Sequence, residues 1–262
     1  MSMRIVDLEG KSALVTGSST GIGAAVAVAF GKAGMKVAVH YNSSKAPAEK
    51  VAAEVEAAGG KAILLAGDVR KSEVCNGLVE KTIKAFGGLD VLVNNAGSVV
   101  NRVPAQDLSD EFYDEVMDLN ARSVFACCRS AVRAFLAAGS GGKAKGNIIN
   151  TTSVAARNGG GAGSILYAGA KGFVSSFTRG LAKELAPTGI RINAVAPGII
   201  RTPLHDRLTK PEAYQVMVDL TPMKRDGTAE ECTGAYLYLA SDELSSFVTG
   251  QVIEVNGGLL MP

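Results

Sequence analysis

Short runs of aliphatic and β-branched residues alternate along the chain with longer alanine-rich segments whose apolar positions recur at helical spacing. Ser12–Thr16, Lys36–His40, Ala62–Ala66, Val91–Asn94, Asn147–Thr151, Arg191–Val195 and Val252–Val255 read as strands. Gly21–Ala33, Ala46–Ala58, Ser72–Phe86, Asp110–Ala137, Tyr167–Leu185 and Thr228–Ala240 read as helices, and Gly34, Gly59 and Gly87 stand where a helix end favours a left-handed residue. A strand that must pair in parallel with a later one needs a long crossover, and a helix is the usual solution. The pattern therefore predicts an α/β fold: a doubly wound, seven-stranded parallel sheet with helices on both faces.

Two stretches interrupt that rhythm. Asn158–Ser164, NGGGAGS, is too glycine-rich to hold a regular element, and Pro197–Pro222 is longer than a plain connection needs. Loops above the carboxyl ends of parallel strands are where open sheets bind substrate, so residues near 153–166 and 197–225 are expected to form the substrate wall. The competing reading is plain surface loop.

Composition narrows the function classes. The 262 residues contain no linker-like stretch, so residues 1–262 are read as one domain. A hydrophobic share of 47%, with 31 glycines, suits a buried sheet under packed helices and tight turns. The net charge of +2 and the lack of basic clusters with interleaved aromatics argue against a nucleic-acid partner. Apolar runs are too short for a bilayer, and MSMRIVDLEGK carries charges where a signal peptide would be apolar; the expectation is a cytoplasmic protein with no membrane partner. Cys75, Cys127, Cys128 and Cys232 lack C-x-x-C spacing and nearby histidines, so they read as small core residues of a reducing compartment. Only His40 and His205 are available as imidazoles, and no metal site is expected.

The chemistry begins at VTGSSTGIG, Val15 to Gly23, which admits two readings. Gly17-Ser18-Ser19-Thr20-Gly21 matches G-x-S-x-G, the nucleophile elbow of a serine hydrolase. That elbow normally follows several strands, whereas Ser19 follows the first, and its base would have to be His205 in a loop. The other reading is a phosphate-seating turn. Gly17 permits the sharp exit from the strand, Gly21 lets the backbone approach a diphosphate, and Gly23 lets the helix pack close to the sheet.

Downstream, Tyr167 and Lys171 are four residues apart and share a helix face. An ammonium there favours the phenolate, so Tyr167 is expected to titrate below its ordinary value near 10 and to exchange a proton with a carbonyl or alcohol oxygen. Ser153, just beyond the fifth strand, can hydrogen-bond the same oxygen. Arg157 and Arg201 are candidates for meeting an anionic substrate, against the plainer reading of surface charge.

T-G-x-x-x-G-I-G, Asn94-Asn95-Ala96-Gly97, Ser153, Y-x-x-x-K and Pro197-Gly198, in this order from Lys11 to Gly258, resemble the short-chain dehydrogenase/reductase family. Within it the chain is most similar to the branch of 3-oxoacyl-carrier-protein reductases and glucose dehydrogenases. The resemblance implies a single Rossmann domain and NAD(P)-dependent interconversion of a small-molecule carbonyl and alcohol, with Asn120, Ser153, Tyr167 and Lys171 as the catalytic set. It implies that Asn120 bends its helix and holds a water that links Lys171 to solvent. Cofactor contacts would come from Gly17, Ser19, Thr20, Gly21, Ile22 and Gly23 of the turn, Asp68 and Val69 beside the adenine, and Asn94, Ala96 and Gly97 in the cleft. Tyr167 and Lys171 beside the ribose, and Pro197, Gly198, Ile200 and Thr202 near the carboxamide, complete the set. A homotetramer is implied, with the Asp110–Ala137 and Tyr167–Leu185 helices at an interface.

Cofactor choice rests on Tyr41-Asn42-Ser43-Ser44-Lys45, after His40 at the end of the second strand. An NAD site places a carboxylate there to hold the ribose 2′-hydroxyl, and none is present. Ser43, Ser44 and Lys45 suit a 2′-phosphate, which favours NADP(H) over NAD(H) although no arginine accompanies them. A non-catalytic nucleotide-binding regulator on the same fold is the alternative, but such a protein has no need of all four catalytic side chains.

Overall fold

A computed structural model describes residues 5–139 and 144–261. The strands are β1 (Ser12–Val15), β2 (Lys36–Tyr41), β3 (Lys61–Ala66), β4 (Val91–Asn94), β5 (Gly146–Thr151), β6 (Ile190–Pro197) and β7 (Val252–Val255). The helices are α1 (Gly21–Lys32), α2 (Lys45–Ala57), α3 (Ser72–Phe86), α4 (Asp110–Met117), α5 (Ser123–Ala138), α6 (Ala155–Asn158), α7 (Ile165–Leu185), α8 (Pro203–Leu208), α9 (Pro211–Leu220), α10 (Ala229–Ala240) and α11 (Asp242–Ser245). All strand pairs are parallel, in the order β3-β2-β1-β4-β5-β6-β7.

Alternation along each strand divides the core between the two faces of the sheet. Leu14, Leu92 and Ile148 point to one face and pack with α3, α5 and α7 residues such as Leu78, Phe135 and Val174. Their neighbours Val15, Val93 and Ile149 point to the other, against Val26 and Phe30 of α1, Val55 of α2 and Tyr236 of α10. Strand order reverses between β1 and β4, whose register pairs Val15 with Val93. The connections leaving their carboxyl ends run to helices on opposite faces of the sheet, the arrangement that opens a crevice.

The four cysteines are buried free thiols, as read from the sequence. Two expectations are corrected. The single helix expected over Asp110–Ala137 is broken by a wider π turn at Asp118–Arg122, at the Asn120 bend that the family resemblance implies. Asn120, fully buried in that turn, donates Nδ2 to the Val116 and Ser98 carbonyls at 2.9 and 2.8 Å and accepts from the Ser98 amide at 3.0 Å, so a tertiary side-chain anchor displaces the regular ladder. The Pro197–Pro222 stretch contains α8 and α9, the latter started by Pro211 at its first helical turn. The Asn158–Ser164 stretch is a tight turn between α6 and α7 in which Gly159, Gly160 and Gly163 take left-handed backbone. Among the described residues no helix is long and apolar enough to cross a membrane.

Candidate active site

A cleft of about 580 Å³ runs along the carboxyl edge of the sheet, a volume suited to a cofactor with a small substrate. Its walls include Gly17, Ser19, Thr20, Gly21 and Ile22 of the turn, Tyr41, Asn42, Ser43 and Ser44 after β2, and Asp68 and Val69 after β3. They continue through Ala96, Gly97, Ser153, Tyr167, Lys171, Pro197, Gly198, Ile200 and Thr202. Most of the expected site residues, contributed by β1 through β6, thus converge on one crevice.

The glycine turn is shaped for close backbone approach. Gly17 has φ +63°, and a Cβ there would stand 2.8 Å from the Cα of Ala96. Thr20, the N-cap of α1, places no side-chain oxygen on the first-turn amides, which have no intrahelical acceptor and remain free to meet an anion. The residues present therefore fit a dinucleotide. Gly23 does a different job from the one expected: a Cβ there would collide with the Asn95 side chain and lie 2.5 Å from the Gly17 carbonyl, so it clears space for the turn itself. Asn95 Nδ2 donates to the Thr16 and Gly17 carbonyls at 3.0 Å each, buttressing the turn from β4.

Asn94 does not face the cleft. It is buried, with Nδ2 donating to Asn150 Oδ1 at 2.9 Å, and Asn150 in turn donates to Thr178 Oγ1 at 2.9 Å. It joins β4, β5 and α7 from beneath, and the neighbouring Asn95 supplies the cleft wall. Asn120 also stays behind the wall, but Gly97 connects it to the site. A Cβ on Gly97 would stand 2.8 Å from Asn120 Oδ1 and 3.1 Å from Lys171 Nζ.

The acid/base group sits on α7. Tyr167 hydrogen-bonds Ser153, whose Oγ also accepts from the Ala155 amide at 3.1 Å. Lys171 is 2% exposed, its ammonium lies 5.6 Å from the centre of the Tyr167 ring, and Nζ donates to the Thr151 carbonyl at 2.8 Å. Burial outweighs pairing for both groups. It raises the Tyr167 phenol above its ordinary value, with Ser153 opposing, and draws Lys171 down to about 8. The expected lowering of Tyr167 is thus reversed, because burial raises the phenol by more than the Ser153 hydrogen bond lowers it.

Charged neighbours also depart from expectation. Lys45 begins α2 and pairs with Glu49 at 3.5 Å, outside the cleft. Arg157 pairs with Glu254 at 3.3 Å and Arg201 with Asp226 at 2.7 Å, so neither is directed at substrate. Asp68 is held by Arg70, whose guanidinium keeps the carboxyl below its usual range. Arg102 lines the cleft instead, donating to the Leu208 and Ala162 carbonyls at 3.2 and 3.1 Å and so tying the 158–164 turn to the end of α8. His40, absent from the expected set, also lines the cleft; its ring bonds Gly17 and Gly67, which removes it as a base for Ser19. The side chain of His205 lies outside the described residues.

A family model described as Enoyl-(Acyl carrier protein) reductase matches residues 17–260. General stress protein 39 of Bacillus subtilis is 43% identical over 96% of this chain and 85% of its own length. A 3-oxoacyl-[acyl-carrier-protein] reductase of Synechocystis is 39% identical over 97% of this chain and 98% of its own. Among solved structures, an NADH-dependent reductase responsible for alginate metabolism, complexed with NAD, superposes with a TM-score of 0.88 at 35% identity, covering 98% of this chain and 100% of that one. A short-chain dehydrogenase from Burkholderia cenocepacia in complex with NADP gives 0.87 at 31% identity, covering 97% and 99%. With its glycine turn, Tyr167 beside the buried Lys171, and seven-stranded parallel sheet, the chain belongs to the short-chain dehydrogenase/reductase family, the NAD(P)-dependent oxidoreductases that interconvert carbonyls and alcohols.

Proposed function

We propose that the protein is an NADP(H)-preferring reductase of small ketones or 3-oxoacyl thioesters, with Asn120, Ser153, Tyr167 and Lys171 as its catalytic set. The observation that carries this reading is the hydrogen-bonded Ser153–Tyr167 pair with the buried Lys171 ammonium beside it, at the floor of one cleft with the glycine turn. When bound, the nicotinamide supplies or accepts the hydride, which no side chain can do. Ser153 Oγ orients the substrate oxygen. Tyr167, held as the neutral phenol by burial, gives that oxygen its proton during reduction and takes it back during oxidation. Lys171 stabilises the phenolate left behind, and Asn120, facing Lys171 across Gly97, lies on the route by which the proton is replaced from solvent.

NADP(H) is favoured by the Asn42, Ser43 and Ser44 side chains at the cleft and the α2 N-terminus that follows them, a donor-rich end with no carboxylate to repel a 2′-phosphate. Residues near 153–166 and 197–225 form the substrate wall in this reading, with apolar Val154, Met217 and Leu220 and the cations Arg102 and Arg207. A homotetramer through α4–α5 and α7 is supported by half-exposed Phe125 and Phe173, which meet Phe177 edge-to-face at 6.3 Å and stacked at 5.3 Å in an apolar patch. The test is a kinetic screen of ketones, aldehydes, sugars, and 3-oxoacyl and enoyl thioesters with NADPH and NADH in parallel. Tyr167→Phe should nearly abolish turnover and leave cofactor binding intact; wild-type turnover in that variant would defeat the mechanism.

A further inference from the structure

His40 makes a set of hydrogen bonds that no catalytic residue shares. It is the next-to-last residue of β2 and 2% exposed. Its Nδ1 accepts from the Gly17 amide at 2.9 Å, and its Nε2 lies 2.9 Å from the Gly67 carbonyl oxygen. An amide N–H only donates and a carbonyl oxygen only accepts, so both contacts are satisfied by one form of the ring: neutral, with its proton on Nε2. The main chain around it is bonded in the same sense. The His40 amide donates to Ser18 Oγ at 2.9 Å, the Ser18 amide donates to the His40 carbonyl at 2.9 Å, and Ser18 Oγ donates to Val15 at 2.7 Å.

The ring therefore joins three strand ends with different tasks toward a dinucleotide. Gly17 follows β1 and opens the phosphate-seating turn. Tyr41 to Ser44 follow His40 itself and face the ribose 2′ position in the reading above. Gly67 follows β3 and precedes Asp68 on the adenine side, and its amide donates to Tyr41 at 3.0 Å. The turn has little freedom to relax, since Gly17 already abuts Ala96 and its carbonyl is held by Asn95.

Resting on the dinucleotide reading, we propose that His40, as the neutral Nε2–H tautomer, is the positioning residue that fixes the glycine turn relative to the ribose and adenine ends of the cofactor cleft. Protonation would place a second donor against the Gly17 N–H and push the turn away. Burial lowers the His40 pKa below its ordinary 6.5, against the Gly67 carbonyl and the charge of Asp68, which is itself paired with Arg70. Cofactor binding should accordingly hold steady above pH 6.5 and weaken only as pH falls through the depressed value.

The chain's two histidines make the test direct. Long-range proton–nitrogen NMR of the full-length 15N-labelled protein, with His205→Asn to assign the signals, should show His40 protonated at Nε2 alone at pH 7; a proton on Nδ1 would overturn the proposal. His40→Asn keeps an acceptor near the Nδ1 position, whereas His40→Gln places its amide near Nε2 and leaves the Gly17 amide without a partner. Calorimetric titration with NADPH and NADH should give a Kd raised about tenfold in His40→Gln, the scale of one lost hydrogen bond, and near wild type in His40→Asn. In His40→Gln the loss should fall more heavily on the cofactor KM than on kcat. Equal Kd values in His40→Gln and wild type would overturn the proposal, as would parallel losses of Kd, turnover and melting temperature in both variants. If wild type binds neither nucleotide, the dinucleotide reading itself falls, whereas the NMR result reports the tautomer regardless.

Discussion

Lys171→Met should make the protein more stable at neutral pH while removing its activity. The ammonium is 2% exposed and receives one hydrogen-bond acceptor, the Thr151 carbonyl, in place of the water it loses. Its pKa falls from 10.5 to about 8, a difference worth roughly 3 kcal/mol against the charged form. Methionine fills similar volume without that charge; the unpartnered Thr151 carbonyl takes back about 1 kcal/mol, leaving a net gain of about 1–2 kcal/mol. The sign with pH follows. Between about 8 and 10.5 the unfolded chain holds a proton on Lys171 that the folded chain has released, so wild-type stability rises with pH across this window. The advantage of Lys171→Met should be largest below pH 8, about 2–6 °C in melting temperature, and should shrink toward pH 10. Differential scanning fluorimetry of both proteins from pH 6.5 to 10.5 measures it, with turnover checked alongside. A variant less stable than wild type at pH 7, or a gap that does not change with pH, would refute the reasoning.

Gly97→Ala places a carbon 2.8 Å from Asn120 Oδ1 and 3.1 Å from Lys171 Nζ, both already bonded, so each must yield by roughly half an ångström. Turnover should fall about 10- to 100-fold, with a loss of about 1–3 kcal/mol in stability, whereas Gly169→Ala, with open space at its Cβ, should retain activity and gain up to about 1 kcal/mol; steady-state kinetics and melting curves compare the two. Arg102, a cation on the proposed substrate wall, donates to loop carbonyls and to Thr209 rather than to a carboxylate. Arg102→Met should therefore lower kcat/KM about tenfold more for a keto acid than for its methyl ester, and an equal fall for both would reduce Arg102 to a loop tie.

The strand–helix alternation and the glycine turn were legible because both are local: β-branched runs commit a segment to the buried sheet, and the turn needs small residues at fixed offsets. The misses arose where a distant group decides. The π turn at Asp118–Arg122 depends on Asn120 reaching Ser98, which no spacing within the helix reveals. Nothing local distinguishes Asn94 from Asn95, because β4 is buried on both faces and only the sheet's pleat assigns one to the core. α9 was more accessible, since Lys210-Pro211-Glu212 is a helix-start signal that the apparent loop obscured. Burial explains the reversed Tyr167 shift: sequence spacing gives the Tyr–Lys distance but not the loss of water around both. For His40 the trace was slight, a titratable ring ending the otherwise apolar run VAVH.

The polar tie from Asn94 through Asn150 to Thr178 has a consequence for how such a protein can change. Together with Thr152 Oγ1 on the Lys171 carbonyl at 2.9 Å, it bolts the helix bearing Tyr167 and Lys171 to β4 and β5 from inside the core. The loops proposed to meet substrate are tied to one another through Arg102. On the proposed reading, proton chemistry and substrate choice thus rest on different ties: exchanges within 203–220 leave the Asn94–Asn150–Thr178 and Thr152–Lys171 bonds untouched, so new specificities are within reach of mutations there, whereas the 158–164 turn runs into α7 itself, the Ser164 carbonyl accepting from the Ala168 amide at 3.0 Å.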